Sequence, residues 1–108
     1  MIIQFNADHS LTATEKFRTK MTASITDKLH RFGQSIKRLD VHFADENGSK
    51  MGVNDKRCLL EAHIDGRPAI VAKNHAGTYE LALEGAADKL NAAISSILGK
   101  LEDKHLHL

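Results

Sequence analysis

The sequence predicts an α+β fold of order β-α-β-β-β-α, an antiparallel-rich four-stranded sheet with two helices on one face. Three observations carry this. From Tyr79 to Lys104, Leu83, Ala87, Leu90, Ile94, Ile97 and Leu101 recur in steps of three and four, the stripe of one long helix. Phe17, Met21, Ile25, Leu29 and Phe32 repeat the pattern earlier. Between the two stripes, apolar residues alternate with polar ones, as in strands with one wet face. Neither helix can bury its stripe alone, so both must lie on the sheet.

In chain order, Ile2, Ile3 and Phe5 predict a short opening strand. Thr12-Ala13-Thr14-Glu15 fits a capping box, with Thr12 as N-cap, and Gly33 marks the far end of the first helical segment. Leu39, Val41 and Phe43 alternate with Asp40, His42 and Ala44 as a second strand. Asp45 to Lys56 has two glycines and no periodicity, so it reads as a long hairpin loop; its acids lack calcium-loop spacing. Cys58, Leu60, Ala62 and Ile64 alternate as a third strand. Asp65-Gly66 is a tight turn, and Pro68 opens a fourth strand at Ala69 to Lys73. Thr78 is the expected N-cap of the last helix.

With 108 residues and ordinary composition, the chain is expected to form one domain, residues 1–108. Its start lacks the basic and apolar regions of a signal peptide, and no stretch approaches the roughly 20 apolar residues that span a bilayer. The single cysteine, Cys58, has no intrachain disulfide partner; it reads as a small buried hydrophobe in a cytoplasmic protein. No phosphate loop, nucleophile elbow, CxxC or telling carboxylate pair is present, so neither an enzyme nor a cofactor is expected. Of seven histidines, His42 and His63 fall on the wet side of neighbouring strands; with no further ligand to name, they read as solvated side chains and no metal site is assigned. His105 and His107 sit in a tail expected to fray.

The net charge is only +1, but it is unevenly distributed. Residues 14–38 hold seven basic residues against two acidic, whereas residues 79–104 hold three against five. Positive charge therefore gathers on the first helix and the segment after it.

The strand order, Tyr79-x-x-Ala82, the later Gly85-x-x-Asp88-Lys89-Leu90, and Thr12 to Phe32 with Lys28-Leu29 together carry a resemblance. Over nearly its whole length the chain resembles the short form of the ribosome hibernation-promoting factor family, also called ribosome-associated inhibitor A or sigma-54 modulation proteins. The resemblance implies a double-stranded-RNA-binding-domain-like fold. It also implies binding to ribosomal RNA of the small subunit, in the channel used by messenger and transfer RNA, blocking translation in stress or stationary phase. Neither DNA nor a membrane is an expected partner.

The RNA contacts this suggests are Lys16, Lys20, Lys28, Arg31, Lys37 and Arg38, joined by Lys89 and Lys100 at basic positions of the family's second helix. The departure from the family lies in Asn91 to Gly99, uncharged here where the short factors carry a dense basic run. The longer Asp45–Lys56 loop is another. The reading from a different class is a protein-interaction module that forms a homodimer or docks a protein partner.

Overall fold

The computed structural model describes residues 1–7, 14–45 and 56–106, with side chains through residue 98. Strand β1 (Ile2–Ala7) leads to helix α1 (Glu15–Lys28) and a 3-10 turn at His30–Phe32. Strands β2 (Ile36–Asp45), β3 (Lys56–Ile64) and β4 (Ile70–Ala76) follow, then helix α2 (Tyr79–Leu106). The expected element order holds, and the sheet runs β1-β2-β3-β4. β1 pairs parallel with β2 because α1 carries the chain back across the sheet; the other two pairings are antiparallel.

Several local expectations shift. Helix α1 is capped by Thr14, whose hydroxyl accepts from the Phe17 amide at 3.1 Å. Glu15 is therefore the first helical residue and not the reciprocal member of a box. Thr12 lies outside the described residues, as does most of the 45–56 loop. Gly33 is not a left-handed helix end: its φ is −57°, and α1 already gives way to the 3-10 turn after Lys28. Strand β4 extends past Lys73 through Asn74, His75 and Ala76, which the short apolar run did not signal. Gly66, with φ 75°, turns β3 toward β4, and the Arg67 amide closes that turn on the Ile64 carbonyl at 3.2 Å. Thr78 is the N-cap expected, accepting from the Leu81 amide at 3.1 Å.

The core lies between the helices and one sheet face. Met21, Ile25 and Leu29 from the first helical segment meet Leu39, Val41, Leu60 and Cys58 from the sheet and Leu83, Leu90 and Ile94 from α2. Burial of each large side chain stabilises the fold by about 1.5–3 kcal/mol. Cys58 is fully buried, and burial pushes its thiol up to about 12. Phe17, Phe43 and Tyr79 stack edge to face at one end, with centroids 5.4–6.5 Å apart.

Helix α2 comes close to β4 at Gly85. A β-carbon there would fall on the Asn74 side chain. Asn74 in turn donates to the Ala82 carbonyl at 3.4 Å and accepts from Lys89 at 3.2 Å. Helix propensity alone favours Gly85→Ala by up to about 1 kcal/mol. Eviction of Asn74 outweighs that gain, so the expected result is a net loss of about 1–2 kcal/mol in urea unfolding. A stabilised variant would show that the strand and helix separate freely here.

Candidate nucleic-acid interface

The side chains that could meet RNA depend on how α1 and α2 lie together. Lys20 Nζ is 2.8 Å from Glu80 Oε1, and Lys28 Nζ is 2.8 Å from Asp88 Oδ1. Both partners advance by eight residues in the same direction, so the helices run parallel. Asn91 fastens the seam by donating to the Lys28 carbonyl at 2.9 Å. The hydrogen bond to Asp88 leads in pushing the Lys28 ammonium above its ordinary value, partly offset by desolvation, so Lys28 stays charged throughout the neutral range.

The eight cations expected from sequence divide by location. Lys16 and Lys20, one helical turn apart, share a shallow depression on α1 with Glu15 and Thr19. Lys28 follows on the seam. Arg31 is exposed, with its guanidinium 5.3 Å from the Phe32 ring centroid. Lys37 lies 3.4 Å from Asp65, both largely exposed. Arg38 is on the opposite, open face of the sheet, with Nε 3.1 Å from Asp40 Oδ1. Lys89 turns toward β4 and donates to the Lys73 carbonyl at 3.1 Å. Lys100 is in α2 beyond the described side chains. The fold thus brings Lys16, Lys20 and Lys28 together along α1, and places Arg38 and Lys89 elsewhere. Arg18, also exposed on α1, was left out of the sequence-based set; its position between Lys16 and Lys20 was the available signal.

The open face of the sheet is not uniformly wet. Asp40, expected among the solvated positions, is only 9% exposed because its neighbours crowd it. It stands opposite Glu61 across the β2–β3 ladder, and Arg38 stands opposite His63. His63 Nε2 is 3.1 Å from Asp40 Oδ2 and 3.8 Å from Glu61 Oε2. His42 Nε2 is 3.4 Å from Glu61 Oε1. His42 and His63 are therefore half-buried partners of two carboxylates rather than isolated solvated rings. Alternation put Asp40 and Glu61 on this face, but only the strand register could bring them together.

A family model described as sigma 54 modulation protein / S30EA ribosomal protein matches residues 3–102. No curated protein matches by sequence. Among solved structures, a ribosomal subunit interface protein from Coxiella burnetii is similar, with TM-score 0.68 and 17% identity over 92% of this chain and 99% of the other. The N-terminal domain of Thermus thermophilus Protein Y is also similar, with TM-score 0.63 and 15% identity over 90% and 99%. At these identities the structural likeness is one of fold.

Proposed function

The chain belongs to the sigma 54 modulation protein / S30EA ribosomal protein family, and from that membership we propose that it binds the small ribosomal subunit and silences translation. The match over nearly the whole chain is the observation that carries this reading. In it, the protein acts in the cytoplasm, in stress or stationary phase. It occupies the channel of messenger and transfer RNA and inhibits by exclusion, with no chemistry.

Lys16, Lys20, Lys28 and Arg31 along the first helical segment are the proposed phosphate contacts, with Lys37 added from the start of β2. Arg38, Lys89 and Lys100 are secondary, two of them being engaged elsewhere in the fold. The ion pairs of Lys20 and Lys37 do not oppose this role. Exposed pairs contribute only about 0–1 kcal/mol, so an array of RNA phosphates can displace Glu80 or Asp65. Release of condensed counterions then supplies affinity, and shape rather than base sequence guides docking.

Sedimentation with purified small subunits tests the proposal. About four phosphate contacts give a salt slope near −3, so raising salt from about 50 to 200 mM should weaken binding on the order of 100-fold. Protein that remains unbound in low salt would refute ribosome association. Binding that ignores salt would refute the phosphate contacts.

A further inference from the structure

The polar group on the open sheet face has no part in the α1 surface and needs its own explanation. Asp40, His42 and Glu61 each offer one donor atom, and the three atoms lie within 4.8 Å of one another. Asp40 Oδ1 and His42 Nε2 are both screened from water, and neither makes a hydrogen bond. Arg38 pairs with both Asp40 oxygens, its Nε lying 3.1 Å from Oδ1 and a terminal nitrogen donating to Oδ2 at 3.3 Å. A buried polar atom left without a hydrogen bond costs about 1–3 kcal/mol, and His42 Nε2 is such an atom, facing Glu61 Oε1 at 3.4 Å. A neutral imidazole nitrogen facing a carboxylate needs a proton or a cation between them.

We propose that Asp40, His42 and Glu61 bind a divalent transition-metal ion of the zinc class. Bonds of about 2.0–2.2 Å in a tetrahedron hold neighbouring donors about 3.3–3.6 Å apart. The 3.4 Å between His42 Nε2 and Glu61 Oε1 falls in that range. A set of one nitrogen and two oxygen ligands suits zinc, whereas magnesium and calcium prefer oxygen alone. His63, 3.1 Å from Asp40 Oδ2, orients that carboxylate from the second rank, with Glu61 Oε2 farther off at 3.8 Å. With Arg38 counted against the two carboxylates, the group keeps one net negative charge toward a dication. The ligands come from paired strands, which fix their spacing better than a loop would.

The test uses the whole chain, stripped of metal, titrated with Zn²⁺ by calorimetry and with Co²⁺ by visible absorption. One ion per chain is expected, with cobalt bands of tetrahedral intensity. His42→Ala and Glu61→Gln should each weaken binding at least about tenfold and erase the bands. The double variant His105→Ala/His107→Ala should retain both. Glu61 is half-exposed, so Glu61→Gln keeps the test valid if His42→Ala fails to fold. Unchanged affinity in Glu61→Gln, loss in the tail variant alone, or no stoichiometric binding would each overturn the site.

Discussion

Exchange of Lys16, Lys20 and Arg31 together for glutamate is expected to abolish sedimentation with small subunits while leaving the fold intact. Each exchange removes one phosphate contact and adds a repulsive charge. Three therefore flatten most of a salt slope built on about four contacts, lowering affinity on the order of 100-fold or more in low salt. The fold should tolerate the change because all three side chains are exposed and the Lys20–Glu80 pair is a surface one. The complementary variant Glu80→Gln/Asp88→Asn frees Lys20 and Lys28 from their carboxylates and should tighten binding. Sedimentation across a salt series, with circular dichroism as the folding control, reads both. If the triple reversal still binds, the basic helix is only a solvated face, and the interaction-module reading gains.

For stability, Leu90→Ala should produce the largest loss of any single truncation discussed. Leu90 is fully buried near the middle of α2, within the shared core. Removal of its branched end forfeits transfer energy and leaves a cavity, together about 2–5 kcal/mol. That is a large share of the roughly 5–15 kcal/mol that holds a domain folded. Urea unfolding should show a lowered midpoint at unchanged slope. Leu81, on the same helix but 55% exposed, provides the comparison: its alanine variant should stay within about 0.5 kcal/mol of the parent. Equal losses at the two positions would mean that α2 is not seated by the face described.

Local signals and tertiary ones differ in what the residues disclose. The helical stripes were legible because period is a property of one segment: Met21, Ile25, Leu83, Leu90 and Ile94 are all buried. The Thr78 cap was legible for the same reason. Thr12 and Thr14 are both candidate caps within one short stretch that local sequence does not rank, and the Phe17 amide meets Thr14. Strand β4 was underestimated because Asn74 and His75 lack strand propensity; pairing with Cys58 and Arg57 keeps them in the ladder. The mutual neutralisation of Lys20 by Glu80 and Lys28 by Asp88 spans 60 residues and depends on the alignment of two helices. The same holds for the Asp40–Glu61 juxtaposition, set by register. Charge distribution located the basic segment but could not show which of its cations the fold itself engages.

The lone thiol has a practical consequence. Only a thiolate attacks a disulfide reagent readily, and a thiol held at about 12 and buried between sheet and helices offers almost none. Ellman's reagent should therefore label Cys58 no faster than the molecule breathes open. This gives the chain a built-in stopwatch for opening, one needing no engineered position.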